Sequence, residues 1–321
     1  MKRVVAIGEL LIDFVPQQKD CKLSEVTHFE RVVGGAPANA AVAVARLGGE
    51  AAMISQVGED AFGTHILDVL EKNGVDAAHV FRTSRAYTGL AFVSLDATGN
   101  RDFSFFRNPS ADLFLSPEQI TEKIFNKCAA LHFCSVDLVD WPVKKAHLRA
   151  IELARKAGAF ISFDPNVRLP LWSTPDACSK AISEFLPYAD LIKLSDDEIG
   201  FVTGEKDEMR AAKKMLAGGC KLVLVTRGAN GSTAYTPQHT AYCDALSVDA
   251  KDTTGAGDSF IGSFLFQLVR DDLTADRLAL IGEARLAEYL RFSACYASLT
   301  VQKKGAVMAT LPELRRAYPE I

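Results

Sequence analysis

The stretch KDTTGAGDSF, residues 251–260, packs two glycines, two threonines, one serine and two aspartates into ten positions. It runs directly into DSFIGSFLFQLV, where Phe260, Ile261, Phe264, Leu265, Leu268 and Val269 fall on one helical stripe. Gly255-Ala256-Gly257 therefore stands at a helix entrance. Backbone N–H groups there lack intrahelical partners and carry partial positive charge, and glycines let an anion come close. The loop reads as a cradle for a phosphate or oxyanion, with Asp258 in the first helical turn. An isolated aspartate in that position would simply stabilise the helix. Beside an anion cradle it can instead take a proton from an attacking hydroxyl while the cradle steadies developing charge.

Outward from this loop, short apolar runs alternate with helical patterns. VVAIG (4–8), AAMISQVG (51–58), ALHFCSV (130–136), AFISFD (159–164), DLIKL (190–194) and KLVLVT (221–226) suit parallel strands buried on both faces. FGTHILDVLEKNG (62–74) and VKKAHLRAIELARKAG (143–158) are amphipathic and end in glycine, as helices do. The spacing predicts βαβ units: an α/β fold with a central, mostly parallel sheet flanked by helices. TGLAFVSLDATGNRDFSFFRNP (88–109) breaks the rhythm, with Arg101, Phe103 and Phe105 alternating against Asp102 and Ser104 around the turn DATGN. With LLIDFVP and THFERVV it predicts a small antiparallel β lid. We expect one domain, 1–321, with the lid inserted at about 10–34 and 86–108.

The 321 residues are 48% hydrophobic and 24% charged, with a formal net charge of −4. That balance offers no bulk attraction for nucleic acid or an anionic membrane. The apolar start, MKRVVAIGELLIDFV, is interrupted by Glu9 and Asp13 and reads as a buried strand rather than a signal peptide. Seven scattered cysteines without a CxxC suggest reduced thiols in a cytoplasm, and the six histidines form no HExxH or clustered pair. GxxxxGK[ST], GxGxxG and GxSxG are all absent, which excludes a Walker loop, a dinucleotide fingerprint and a hydrolase elbow.

DTTGAGDSF resembles the C-terminal signature of the ribokinase-like (PfkB-type) sugar kinases. GGAPANAAVAVARLG (34–48), followed by GEDAFG (58–63), resembles that family's other signature, and the likeness runs from GELLID to KKGA (303–306). Within the family, RNPSADLFL (107–115) and FDPNVRLPLW (163–172) look most like bacterial fructokinases. The resemblance implies an ATP-dependent kinase acting on a primary hydroxyl of fructose, with Asp258 as general base and Gly255-Ala256-Gly257 as anion hole. It places sugar contacts at Asp13, Gly34, Gly35, Asn39, Arg107 and Arg168, with Phe103 and Phe105 as an apolar wall. It places nucleotide contacts at Lys193, Ser195, Thr226, Gly228, Gly231, Thr254 and Gly257. Glu198 matches the position that orders water around Mg²⁺, although serine replaces the family's asparagine at 195. Asp252, Thr254, Thr300, Lys303 and Gly305 fall where relatives hold a monovalent cation, K⁺. The alternatives are a kinase for a 2-keto-3-deoxy sugar acid, ribose or an aminoimidazole riboside, and a non-catalytic sugar sensor. A homodimer paired through exposed lid strands is a further expectation.

Overall fold

The computed structural model describes residues 2–18, 21–95 and 101–321, excluding the side chains of 94, 95 and 101–103. The turn DATGN and the side chain of Phe103 lie outside the described residues. The strands are β1 (Arg3–Ile7), β2 (Leu11–Pro16), β3 (Phe29–Gly34), β4 (Glu50–Gly58), β5 (Val75–Thr83), β6 (Gly89–Leu95), β7 (Arg101–Phe106), β8 (Cys128–Cys134), β9 (Phe160–Asp164), β10 (Leu191–Ser195), β11 (Leu222–Thr226), β12 (Ser232–Tyr235) and β13 (Thr240–Cys243). The helices are α1 (Ala36–Arg46), α2 (Ala61–Lys72), α3 (Pro142–Lys156), α4 (Pro175–Phe185), α5 (Asp196–Thr203), α6 (Glu208–Ala217), α7 (Ala256–Arg270), α8 (Ala275–Leu278), α9 (Glu283–Val301) and α10 (Leu311–Ala317).

Among the described residues, nine strands form one sheet in the order β13-β12-β11-β10-β9-β8-β1-β4-β5. Pairing is parallel from β11 through to β5, and antiparallel where β12 and β13 close one edge. Alternate residues of β1 feed two cores: Val5 and Ile7 face α3, α4, α5 and α6, while Val4 and Ala6 face α1, α2, α7 and α9. Burial on both faces explains the unbroken apolar runs. Strand order reverses at β1, between β8 and β4, so a crevice for ligands is expected beyond the carboxyl ends of these strands.

The alanine-rich α1 packs against α7 as well as against the sheet. A Cβ at Gly262 of α7 would lie 2.6 Å from the Ala40 carbonyl oxygen and 2.7 Å from Ala43 Cβ. The two backbones approach closely because neither carries bulk there, and this brings the α1 and α7 entrances together.

The second sheet has the order β3-β2-β6-β7. Its outer pairings are antiparallel, as predicted, and β2 with β6 is parallel. Asp13 sits opposite Val32 and Ala91, and Ala91 opposite Phe105, so these residues share a row across the sheet. The next row carries Phe14 stacked on Phe92 at 4.7 Å, with Phe29 edge-on to both.

Candidate active site

Gly255 caps α7 in the left-handed region, at φ 74°, and a Cβ there would strike Ala306 Cβ at 2.5 Å. Only glycine meets both demands. Asp258, one turn in, is buried, and its Oδ2 accepts a hydrogen bond from Asn39 Nδ2 at 2.8 Å. Burial raises its carboxyl above the ordinary aspartate range, against the pull of Asn39, and Asp164 adds to the rise. Lys193 and Arg168 oppose it. Asn39, expected at the sugar, thus orients Asp258 from the facing helix.

Lys193 comes from β10 and donates through Nζ to Asp164 Oδ2 at 2.9 Å, both side chains being buried. Asp164, at the end of β9, also accepts from the Asn166 amide at 3.1 Å. A Cβ at Gly257 would lie 3.0 Å from Lys193 Nζ. The missing side chain therefore lets a fixed ammonium reach the floor of the anion loop. Burial lowers the Lys193 pKa, but Asp164 and Glu198 outweigh it and keep the amine charged. The nearby His132 is driven down to about 3, by burial first and then by Lys193, so its imidazole is neutral.

Glu198, in the first turn of α5, is engaged at both oxygens: Oε2 accepts from the Ser195 amide at 2.9 Å and Oε1 from the Val167 amide at 2.6 Å. It ties β10 to the loop after β9, and its second lone pairs point to the same all-oxygen chemistry that suits water around Mg²⁺. Thr226 ends β11, and Gly228–Asn230 forms a single 3₁₀ turn closed by Arg227 N donating to the Gly231 carbonyl at 2.8 Å. The TxGxxG segment is thus a tight turn beside β10, at the same sheet edge as Lys193.

The five residues expected around a monovalent cation are knotted together. Asp252 Oδ1 accepts from Thr254 N at 2.9 Å and from Thr254 Oγ1 at 2.6 Å, while Oδ2 accepts from Gly305 N at 2.9 Å. Lys303 N donates to the Thr300 carbonyl at 3.0 Å. One carboxylate thus couples the anion loop to the 303–305 segment, and oxygen donors of this kind suit a hard cation.

At the entrance of α1, where sugar contacts were expected, a Cβ at Gly34 would meet Asp13 Oδ2 at 2.3 Å, so the absent side chain makes room for that carboxylate. Gly35, at φ 123°, caps α1, and its Cβ position lies 2.3 Å from the Glu9 carbonyl oxygen. Phe105 is half-buried in the Asp13 row. Arg168 is exposed after β9 and donates to its neighbour's carbonyl, Val167, at 3.2 Å.

Arg107 departs from the expectation of a side chain presented on a lid strand. It follows β7, is buried, and donates through one nitrogen, Nη2, to Asp112 and to Asp137. Asp112 also accepts from Ser110. Burial lowers the Arg107 pKa, yet Asp112, Asp137 and Glu9 outweigh it and hold the guanidinium charged. Sequence reasoning passed over Glu9, Asp112, Asp137 and Asp164. A signal for three of them was available: Glu9, Asp137 and Asp164 stand at or just beyond the carboxyl ends of β1, β8 and β9, where open parallel sheets bind ligands.

A family profile described as pfkB family carbohydrate kinase matches residues 1–314. The chain is 43% identical to a protein named probable fructokinase-2 of Arabidopsis thaliana, over 95% of this chain and 92% of that one. The crystal structure of a fructokinase with bound ATP from Xylella fastidiosa superimposes with a TM-score of 0.89 at 32% identity, covering 99% of this chain and 98% of that one. A fructokinase double mutant from Vibrio cholerae O395, in its fructose-, ADP- and potassium-bound form, superimposes at 0.85 with 31% identity, covering 98% of each chain.

Proposed function

Because this chain belongs to the pfkB family of carbohydrate kinases, we propose that it is a fructokinase, transferring the γ-phosphoryl group of ATP to a primary hydroxyl of fructose. The observation that carries the proposal is the pairing of the buried Asp258 with Asn39 at the mouth of α7, beside a glycine loop floored by Lys193. Asp258 takes the hydroxyl proton as the sugar oxygen attacks the γ-phosphorus and the bond to ADP breaks. Its raised pKa makes it a better proton acceptor than a free aspartate. The first-turn amides of α7 and the Lys193 ammonium stabilise charge on the moving phosphoryl group. Asp13, Gly34 and Gly35 receive the sugar, with Phe105 on its ring face. Thr226, Gly228 and Gly231 hold the nucleotide.

Glu198 would hold Mg²⁺ through water, and the Asp252–Thr254–Gly305 knot with Thr300 and Lys303 would hold K⁺. Bound Mg²⁺ supplies charge neutralisation at the phosphates. The small sheet acts as the lid of a single domain, 1–321, closing over the sugar to exclude water. A second copy pairs through its outer face, where Phe106 stays 61% exposed beside Phe92; sedimentation of a Phe106→Ser variant tests that pairing. ATP as second substrate and seven free cysteines fit a cytoplasmic setting.

The test is ADP release across a sugar panel. We expect kcat/KM for fructose to exceed that for ribose and 2-keto-3-deoxygluconate by at least about tenfold. No turnover with any sugar would identify a sensor, and preference for the sugar acid would replace the fructose assignment.

A further inference from the structure

Three acid side chains crowd the single guanidinium of Arg107. Asp112 and Asp137 both bond the same nitrogen, and Glu9 lies close enough to act on all of them. Glu9, Asp112 and Asp137 are 3%, 1% and 1% exposed. Asp137 Oδ2, Glu9 Oε2 and Arg107 Nε have no hydrogen-bond partner among the described residues. A buried ion pair built for stability would satisfy those atoms.

The cluster backs onto the sugar-facing entrance of α1. Glu9 Oε1 accepts from the Ala36 amide at 2.9 Å, and Ala36 directly follows Gly34-Gly35. Asp13 lies against Gly34 on the same side. Arg168, like Lys193, acts on Asp258 rather than on this cluster.

We propose that Glu9, Asp112 and Asp137 form a charge filter for substrate: they saturate Arg107 and so admit neutral ketoses while turning away sugar acids. The inference rests on the fructokinase reading and names residues that set its substrate class. Hydroxyls are accepted by Asp13 at no cost in charge. A carboxylate entering beside this wall meets like charge and finds its natural partner, the guanidinium, already shared by two aspartates. Repulsion of the wrong substrate thus comes from groups that need not touch the right one.

The filter has a pH signature. Burial lifts Glu9 to about 7 while Arg107 opposes the rise, and it lifts Asp137 well above the ordinary aspartate range, so Glu9 sets how the wall's charge changes near neutrality; the groups facing Glu9 are Arg107, Asp112, Asp137 and the buried Cys134 thiol. Below neutrality Glu9 keeps its proton and the wall is less negative. Above neutrality Glu9 ionises and rejection of a carboxylate strengthens.

The experiment measures kcat/KM for fructose and for 2-keto-3-deoxygluconate at pH 6 and pH 8, with calorimetric binding of the sugar acid alongside. The proteins are wild type, Glu9→Gln and Asp137→Asn. Glu9→Gln keeps an acceptor for Ala36 and leaves both Arg107 ion pairs, so the test survives if Asp137→Asn fails to fold. We expect the wild-type preference for fructose to widen from pH 6 to pH 8. Glu9→Gln should narrow it at pH 8 by about tenfold and remove its pH dependence, with the sugar acid bound correspondingly tighter. A folded Glu9→Gln whose preference, sugar-acid affinity and pH dependence all match wild type overturns the filter and leaves the fructokinase reading intact. Wild type that ignores fructose overturns the reading itself, while sugar-acid binding still reports on the filter.

Discussion

Two buried cations stand at the same edge of the large sheet, and they are housed differently. Lys193 bonds one carboxylate, Asp164, at 2.9 Å, with Glu198 and Asp258 acting on it without a bond, and its ammonium reaches the floor of a glycine loop. Arg107 has two bonded aspartates and a nearby glutamate, with unsatisfied atoms left over. A singly paired ammonium still has positive potential to offer an incoming phosphate. An over-paired guanidinium has little left to offer, because the acids around it already take its bonds. The difference sorts the two halves of the site by the charge of what they must accept: polyanionic nucleotide on one side, neutral sugar on the other.

The largest expected effect lies where the halves meet. Asp258→Asn should keep the fold and ATP binding while turnover falls by about 10² to 10⁴, the range for a lost general base. The same substitution should raise Tm at neutral pH. A carboxyl whose folded pKa exceeds its unfolded value costs stability once ionised, so the gain is fully present above the folded pKa and vanishes below the unfolded one. Thermal melts across acidic to neutral pH, beside single-turnover rates, check both limbs. Turnover close to wild type would remove Asp258 from the chemistry.

On the nucleotide side, Lys193→Met should lower kcat by about 10² to 10³, as for a lost charge-stabilising donor, with a much smaller change in the sugar's KM. It also strands Asp164, costing about 3–5 kcal/mol of stability. Adding Asp164→Leu should restore most of the stability and none of the turnover. Chemical denaturation of the single and double variants separates the two roles. If stability and kcat recover together, Lys193 is structural and the contrast with Arg107 collapses.

On the sugar side, Asp13→Ala should raise the KM for fructose by about 10- to 150-fold, the equivalent of about 1.5–3 kcal/mol for a charged hydrogen-bond partner, and leave the KM for ATP nearly unchanged. Equal effects on both substrates would assign Asp13 to the small sheet's architecture.

The alternation of apolar runs and capped helices made the layered sheet legible, because parallel strands buried on both faces leave an unbroken signature. The loop at 251–260 was legible for a related reason: few other segments need so many glycines and hydroxyls at a helix mouth. The partners of Arg107 were not legible, because alternation along β7 assigns a face but says nothing of Asp137, which arrives thirty residues later, just beyond β8. Asn39 was placed at the sugar, and its bond to Asp258 spans 219 residues of sequence, a contact that only the close α1–α7 packing creates. The sequence showed local chemistry well, and partners brought in by topology poorly.

The smallest effect tests whether the two halves communicate. Lys304 Nζ pairs with Glu30 Oε2 at 3.1 Å, and a Cβ at Gly305 would sit 3.8 Å from Val32 Cγ1, so the cation-loop segment leans on β3 of the small sheet. Gly305 is in turn bound to Asp252, which holds Thr254 at the rim of the anion loop. Among the described residues, contact between the small sheet and the phosphate-side loop includes this exposed ion pair and the close approach of Gly305 to Val32. Both charged side chains are about half exposed, at 55% and 53%, and such pairs contribute about 0–1 kcal/mol and fade with salt. Lys304→Ala should thus shift stability by no more than about 1 kcal/mol and leave both KM values close to wild type at physiological ionic strength. A large rise in the fructose KM, reproduced in the wild type by high salt, would mean that this contact gates the small sheet, and that the sugar and nucleotide halves are not sorted by charge alone.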